Sequence, residues 1–278
     1  MKKLHPFLLF LINSNIFVSF CVLSLALSSE FLLFNSKISF PSKVSQFVFF
    51  AAIFTYNFQR IVRIKKHLKH PRKDWIKKNE FLIYLIMIIS AVMSLYLFSI
   101  FKETKTQIAI IFSGIISILY PFFLRKIPFF KILIISLVWT ISTMLLLVLE
   151  ENIVFSSNIV FHLIRRFLFV FAIAIPFDIR DLRFDSKKLK TIPIIFGVSK
   201  SKLICFVSLF LIVIISIFQF LNYNLRIEFL IAIILSCIVS SIFINKSDEK
   251  KSDSFFSFWI ESLSVFHYLF LAISILMF

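Results

Sequence analysis

The sequence is poor in residues that cross-link a chain or interrupt its helices. It contains two glycines, seven prolines and three cysteines in 278 residues. Cys21, Cys205 and Cys237 stand singly in apolar runs, with no CxxC pair and no histidine at ligand spacing. This pattern argues against a disulfide framework and against a zinc site. The scarcity of Gly and Pro interruptions, and of acidic residues near the centres of the apolar runs, also weighs against a secondary transporter.

Acidic residues are scarce as well. The chain has 14 Asp and Glu against 31 Lys and Arg, and its formal net charge is +17. A strongly basic chain can be a nucleic-acid binder. In a chain with long apolar runs, basic residues that flank membrane spans on the cytoplasmic side are the better explanation. We therefore expect membrane lipid as a partner, and neither nucleic acid nor a soluble protein.

Long apolar runs dominate what is present. Hydrophobic residues make up 60% of the chain, and its mean hydropathy is +0.98. Several runs reach the roughly 20 residues that cross a bilayer core, and they must be helices because hydrocarbon offers the backbone no other partner. The chain is predicted to be an all-α polytopic membrane protein with a single domain over residues 1–278. Nine spans are predicted, over 7–29, 44–60, 81–101, 106–124, 131–150, 159–178, 202–221, 227–244 and 255–277.

The basic residues predict the orientation of these spans. If the N-terminus is inside, most Lys and Arg fall in the inside segments 1–6, 60–80, 125–131, 179–202 and 245–254. Because short cytoplasmic loops carry the excess of basic residues, the N-terminus is predicted to be cytoplasmic and the C-terminus outside. We expect a bacterial-type inner membrane. The N-terminal apolar run is too long for a signal peptide and favours a first span.

Three of the few acidic residues follow the sixth span, in the stretch PFDIRDLRFDSKKLKTIP. Asp178, Asp181 and Asp185 lie within eight positions. If the helix continues to about residue 188, a turn of about 100 degrees per residue places all three carboxylates on one face. The opposite face then carries the basic residues Arg180, Arg183 and Lys187.

Three carboxylates on one face repel one another and need a cation or raised pKa values. Oxygen ligands without His or Cys favour a hard ion, and Mg²⁺ typically combines one or two carboxylates with a substrate phosphate. Asp178, Asp181 and Asp185 are therefore candidate ligands of a magnesium–diphosphate site. The alternative is a solvated loop in which Asp181 and Asp185 pair with basic residues three or four positions away. The spacing alone does not separate the two.

Two motifs carry a family resemblance. The segment DIRDLRFDSKKLKTIPIIFG contains Asp178, Arg180-Asp181, Asp185, Lys190-Thr191, Pro193 and Gly197 in that order. The element LYPFFLRK contains Tyr120, Pro121, Arg125 and Lys126. The first resembles the second aspartate motif of the UbiA superfamily of intramembrane prenyltransferases. The second resembles the family's Tyr-Pro-x-x-Lys-Arg element, with the basic pair offset by one position.

The resemblance implies a UbiA-like helical bundle and a reaction. Such enzymes move an isoprenoid chain from its diphosphate to a lipophilic acceptor, usually an aromatic or quinonoid ring, with Mg²⁺ held at two aspartate motifs on the cytoplasmic face. It implies Asp181 and Asp185 as catalytic residues and, with Asp178, as metal ligands. The candidate diphosphate-binding residues are Asn57, Arg60, Arg63, Tyr120, Arg125, Lys126 and Lys190.

The sequence departs from the family at the first motif, Asn-x-x-x-Asp-x-x-x-Asp. Asn57 is present, but Ile61 and Lys65 stand where the aspartates belong, and the usual Gly before Lys190 is Leu189. One possibility is that a basic side chain, from the set Arg60, Arg63 and Lys66, replaces a metal at the diphosphate. A second is a non-catalytic lipid-phosphate binder or scaffold, and a third is that Asp74 folds back into the site. Arg60 is expected to matter more than Lys77.

The spans contain other polar residues. His162, Arg165 and Arg166 lie in the outer half of the sixth span, and intramembrane charge usually faces the bundle interior. Arg165 is predicted to snorkel toward the outer interface or to pair with Glu150 or Glu151. The alternative is that it lines a cavity and contacts an acceptor. Glu261 and His267 of the ninth span do not share a face, which argues against a ligand pair.

Overall fold

The computed structural model describes residues 5–34, 40–65, 72–122, 127, 129–183 and 190–277. Within these ranges all regular structure is helical, so the prediction of an all-α chain is confirmed. The α-helices are α1 (Pro6–Asn13), α2 (Ile16–Phe34), α3 (Lys43–Lys65), α4 (Lys73–Lys78), α5 (Glu80–Ser99), α6 (Thr104–Leu119), α7 (Phe130–Thr140), α8 (Leu146–Glu150), α9 (Ser157–Asp181), α10 (Ile192–Asn222), α11 (Ile227–Asn245) and α12 (Leu263–Met277). Two π-helical segments, Ile141–Leu145 and Phe255–Ile260, join α7 to α8 and precede α12.

Seven helical segments in the described part of the chain are long and apolar enough to cross a membrane. They are Ile16–Phe34, Glu80–Ser99, Phe130–Glu150, Ser157–Asp181, Ile192–Asn222, Ile227–Asn245 and Phe255–Met277. The predicted spans 44–60 and 106–124 overlap α3 and α6, of which α3 carries several charges and α6 has 16 residues. The count of nine spans and the orientation of the termini therefore stay predictions.

The predicted first span is two helices with a break between them. Asn15 lies in the break with a positive φ of 59°, a conformation that Asn adopts more readily than most residues. Its side chain is buried and donates a hydrogen bond to Asn57 of α3. The break thus places polar groups of α1 and α2 against the end of α3.

The core is built around α9. This helix packs most extensively against α10 and α7, and its buried face joins a cluster of apolar side chains from α2, α10, α11 and α12. Many of the other buried residues are serines, and Ser136, Ser208 and Ser216 donate to the carbonyl four residues earlier in their own helices. A hydroxyl satisfied in this way can be buried without a partner from another helix.

The helix that carries the aspartates ends earlier than predicted. α9 ends at Asp181, whereas a helix to about residue 188 is predicted from the sequence. α10 begins at Ile192 with Pro193 in its first turn, where proline's missing N–H costs no helical hydrogen bond. A kink follows at Gly197, which has φ 77° and ψ 166°. That conformation is accessible essentially only to glycine.

The two glycines are expected to respond in opposite ways to substitution by alanine. Gly197→Ala should lower the free energy of unfolding by about 1–3 kcal/mol because it forces a side chain into this conformation. Gly114→Ala is the matched control in α6, where an added methyl group meets no atom within 4 Å. It should raise the free energy of unfolding by up to about 1 kcal/mol, the helix-propensity difference. Thermal unfolding in detergent measures both, and shifts of the same sign would contradict the assignment.

Candidate functional site

A cavity with charged walls opens at the end of the bundle where α3 and α9 end. Its volume is about 180 Å³. Helices α3, α7 and α9, the residue before α4 and the segment before α12 all contribute side chains. The charged residues that line this cavity, named here the charged cavity, are Arg60, Arg63, Arg72, Lys131, Asp178, Arg180, Asp181 and Glu261.

Helix α9 brings two of the predicted carboxylates into this cavity. Asp178 and Asp181 are three residues apart and therefore share a face. They are 2% and 7% exposed. Both lie in the last turn of α9, where the helix dipole disfavours negative charge. Because both carboxylates are buried and lie at the negative end of the helix dipole, they need nearby cations to remain charged.

Lys131, at the start of α7, supplies the first of these cations. Its ammonium forms ion pairs with Asp178 and, at 3.1 Å, with Asp181. Arg180 supplies the second: its Nε and Nη2 donate to Asp181 Oδ1 at 2.8 and 2.7 Å. The prediction that Arg180 lies on the face opposite the aspartates was wrong, because its long side chain turns back to the neighbouring carboxylate.

The two described carboxylates have an arrangement that could hold one divalent cation. Both contact the single ammonium of Lys131, so their oxygens converge on a point that one cation can occupy, and two carboxylates are a usual protein share of a Mg²⁺ shell. No group of three or more His, Cys, Asp or Glu suited to a metal occurs among the described residues. Asp185, the third predicted ligand, lies outside the described residues.

Asn57, the one remaining residue of the first motif, holds helices together. Its Oδ1 accepts a hydrogen bond from Asn15 Nδ2 at 2.8 Å. Its Nδ2 donates to the carbonyls of Ser14 and Ile53, both at 2.9 Å. Asn57 is fully buried and does not line the charged cavity. Arg60, one turn later, lines the cavity and donates to Asn15 Oδ1 at 3.1 Å.

Two further cavity residues, Arg72 and Glu261, were not predicted from the sequence as site residues. Arg72 donates from Nη1 to the Ile12 carbonyl and from Nη2 to Ser257 Oγ, both at 2.6 Å. It thereby ties the segment before α4 to both ends of the chain. Burial lowers the pKa of the Arg72 guanidinium, and the nearby Glu261 carboxylate opposes that shift. Because loops rich in basic residues are common on the cytoplasmic side, nothing in the sequence distinguished Arg72 from its neighbours.

Glu261 lies directly after the π-helical turn Phe255–Ile260. Its N–H bonds to the Phe256 carbonyl at 3.2 Å, five residues earlier. Such turns shift the register of the helix and are frequent at functional sites. Glu261 lines the charged cavity, with Arg72, Arg180 and Arg60 as its electrostatic partners. An acidic residue in an apolar span often marks a functional site. This feature of the sequence could have identified Glu261 as a candidate site residue.

The other predicted site residues have different positions. Tyr120 lines the charged cavity from the end of α6, and Arg63 lines it from α3. Lys190 is exposed and Asp74 is exposed on α4, and neither lines the charged cavity. The remaining candidates Lys66, Arg125 and Lys126 lie outside the described residues.

A second cavity, of about 180 Å³ and with mainly apolar walls, adjoins the first. It lies among α2, α3, α6, α7 and the π-helical segment after α7, and is named here the apolar cavity. Five residues line both cavities: Tyr56, Gln59, Tyr120, Ile135 and Trp139. Trp139 Nε1 donates to the Tyr56 hydroxyl at 2.9 Å in this shared wall. The pair of cavities therefore suits a ligand with an anionic head and an apolar tail.

Comparison with known proteins places this geometry in a family. A family model described as the UbiA prenyltransferase family matches residues 56–263, and a comparison with curated proteins found no match. A UbiA homologue from Archaeoglobus fulgidus bound to GPP and Mg²⁺ has a TM-score of 0.67 at 17% identity, covering 95% of this chain and 98% of that one. The apo UbiA homologue from Aeropyrum pernix K1 has a TM-score of 0.70 at 13% identity, covering 94% and 98%.

A further structure of the Archaeoglobus fulgidus homologue, bound to DMAPP and Mg²⁺, has a TM-score of 0.65 at 17% identity, covering 96% of this chain and 99% of that one. At these identities the structures show a common fold. The UbiA-like bundle implied by the sequence motifs is therefore confirmed.

The ion pairs of Lys131 are expected to contribute strongly to stability. Lys131→Met removes a positive charge in contact with the buried Asp178, and breaking a buried pair costs about 3–5 kcal/mol. Adding Asp178→Asn to this variant should recover a substantial part of the loss. Arg183→Gln, which removes the partly exposed pair with Asp253, should cost no more than about 1 kcal/mol. Unfolding curves in detergent measure the stability loss of each variant. Equal losses in Lys131→Met and Arg183→Gln would contradict the expected order.

Proposed function

The chain belongs to the UbiA prenyltransferase family, and we propose that it transfers an isoprenoid chain from a diphosphate to a lipophilic acceptor, an aromatic or quinonoid ring, at the cytoplasmic end of the bundle. The observation that carries this proposal is the charged cavity sharing a wall with the apolar cavity. It is supported by the fold shared with the Archaeoglobus fulgidus homologue bound to GPP and Mg²⁺.

The charge of the cavity suits a diphosphate. Its described walls carry the cations Arg60, Arg63, Arg72, Lys131 and Arg180. These exceed the three carboxylates among the same described residues. Hydrogen bonds from guanidinium or ammonium to phosphate oxygens are among the strongest that side chains make, and they gain strength where water is excluded.

These cations also favour the first chemical step. When the bond between the allylic carbon and the diphosphate oxygen breaks, the diphosphate keeps the electron pair and gains negative charge. Fixed positive groups that face this oxygen stabilise the leaving group as it forms. A divalent cation held by Asp178 and Asp181 would add to this neutralisation. Asp185, Arg125, Lys126 and Lys190 stay proposals that rest on the motifs.

The second step joins the allylic carbon to a ring carbon of the acceptor, which then loses its proton. We assign the role of proton acceptor to Glu261. It lines the charged cavity and makes no ion pair or side-chain hydrogen bond within the described ranges. The apolar cavity would hold the isoprenoid tail and keep water from the cation.

A second candidate function is binding of a lipid phosphate or diphosphate without turnover. The engagement of Asp178 and Asp181 by Lys131, together with Ile61 and Lys65 in the first motif, favours it. The same cationic walls would bind the same anionic head group. The two candidates differ in whether pyrophosphate is released.

Arg60 is expected to contribute to diphosphate binding and Lys77 is not. Arg60→Ala removes a charged donor from the cavity wall and should weaken binding of an isoprenoid diphosphate about 10–100-fold. Lys77→Ala, an exposed change on α4, is the matched control and should leave the affinity unchanged. Binding is measured by isothermal calorimetry on purified protein with Mg²⁺ and a panel of chain lengths. Equal affinities of the two variants would remove Arg60 from the site.

Turnover is tested separately from binding. Wild-type protein, Mg²⁺, an isoprenoid diphosphate and a phenolic or quinonoid acceptor should release pyrophosphate and yield the prenylated acceptor. Glu261→Gln should lower kcat about 10²–10⁴-fold, as expected for a lost general base, with diphosphate affinity retained. Asp181→Asn should also reduce kcat.

Two results would count against these assignments. Tight diphosphate binding by the wild type with no pyrophosphate release across the panel would favour the second candidate function. Turnover by Glu261→Gln at the wild-type rate would exclude its role as proton acceptor.

A further inference from the structure

A second cluster of buried charge lies toward the other end of α9. Arg165 and Arg166 are 5% and 4% exposed. They are about 13 residues from Asp178, which corresponds to about 20 Å along the helix axis. The cluster is therefore separate from the charged cavity and takes no part in the proposed reaction.

The hydrogen-bond partners of both arginines are neutral. Arg165 donates from Nη1 to Ser216 Oγ at 2.8 Å and from Nη2 to His162 Nδ1 at 2.7 Å. Arg166 donates from Nη2 to Ser28 Oγ at 2.9 Å and to Ser29 Oγ at 2.8 Å. The only atom among these partners that belongs to a titratable group is the imidazole nitrogen of His162.

That imidazole carries no compensating negative charge. A guanidinium can only donate, so His162 Nδ1 must accept. The proton of the neutral ring is then on Nε2, which is a donor as well. His267, the other histidine of the cluster, is bonded to Ser236 through Nδ1 at 2.9 Å.

No carboxylate among the described residues pairs with either arginine. The predicted pairing of Arg165 with Glu150 or Glu151 was wrong. Glu150 accepts from the backbone N–H groups of Lys102 and Glu103 at 3.0 and 3.4 Å, and Glu151 is exposed. Glu30, the acidic residue next to Ser29, accepts from Ser42 and Ser45. Two guanidiniums in the apolar interior thus have no counter-charge from the described chain.

Several donors of this pair remain unused. Arg165 Nε and both Nε and Nη1 of Arg166 are buried without a hydrogen-bond partner. Each of these atoms can only donate. A cavity of about 20 Å³ touches both arginines, His162, His267 and Ser236, and its remaining wall is apolar.

The charge, the donors and the size of this cavity limit what can occupy it. Two like charges in a low-dielectric interior carry a large desolvation penalty unless an opposite charge is close. A water molecule can accept these donors but brings no charge. The volume is only slightly more than the roughly 10–15 Å³ that one water-sized probe needs. This volume suits an occupant of one or two heavy atoms and is small for a phosphate or for the ring of an acceptor.

We propose that Arg165 and Arg166 hold a small monovalent anion of the halide class, chloride being the abundant example, inside the helical bundle. The anion accepts the unused guanidinium donors and supplies the missing counter-charge. Its position among α2, α9 and α10 makes it a structural ion that links these helices. The proposal does not depend on the prenyl-transfer function, since no residue of the charged cavity is involved.

Halide dependence of stability tests the proposal. Purified wild-type protein is unfolded thermally in detergent at constant ionic strength, with sodium chloride or bromide replaced stepwise by sodium gluconate, whose anion is too large for the cavity. The halides should raise Tm by at least about 2 °C relative to gluconate. Arg166→Gln should lose this dependence. Arg226→Gln, which changes an arginine paired with Glu228 near the start of α11, is the matched control and should keep it.

A direct measurement covers the case in which Arg166→Gln does not fold. Crystals of the wild type grown in bromide should show an anomalous-scattering peak in the cavity that Arg165 and Arg166 both line. A water molecule in that position without an anomalous signal would overturn the proposal. So would equal Tm values in halide and gluconate, or a halide response that Arg166→Gln retains.

Discussion

The site depends on basic side chains that neutralise the negative charge of two buried carboxylates at the end of α9. Asp178 and Asp181 are buried at the negative end of the helix dipole, where a carboxylate is least favourable. Lys131 contacts both, and Arg180 contacts Asp181. The ammonium comes from α7, so the same ion pairs that make the acidic residues tolerable also join α7 to α9. The charged cavity is the space that these helices leave between them and α3.

Helix α9 carries both charged clusters, and the two are balanced in different ways. At its C-terminal end, opposite charges on neighbouring helices meet directly. Toward its N-terminal end, Arg165 and Arg166 meet only hydroxyls and an imidazole. Small hydroxyl-bearing residues let helices approach closely, but they cannot neutralise a charge. The first arrangement forms the proposed diphosphate site, and the second is the proposed site of a small anion.

The structure shows what the residues in the region of the incomplete first motif do. The side-chain amide of Asn57 bonds to Asn15, Ser14 and Ile53 and thereby fastens α3 to the break between α1 and α2. Ile61 and Lys65 stand at the motif's aspartate positions, and the charged side chains that α3 contributes to the cavity wall are the cations Arg60 and Arg63. Under the proposed function, these guanidinium groups would contact phosphate oxygens directly, where the family motif has acidic residues.

The sequence by itself determined the class of protein, the helical architecture and the position of Asp178 and Asp181, because hydropathy, charge bias and three-residue spacing act locally along the chain. It also located Arg60 and Arg63 by their nearness to Asn57. Only the tertiary structure decided the partners. Lys131, Arg72 and Glu261 come from segments far apart in sequence, and contacts between such segments have no periodic signature. The end of α9 at Asp181 and the isolation of Arg165 and Arg166 likewise follow from which helices pack together.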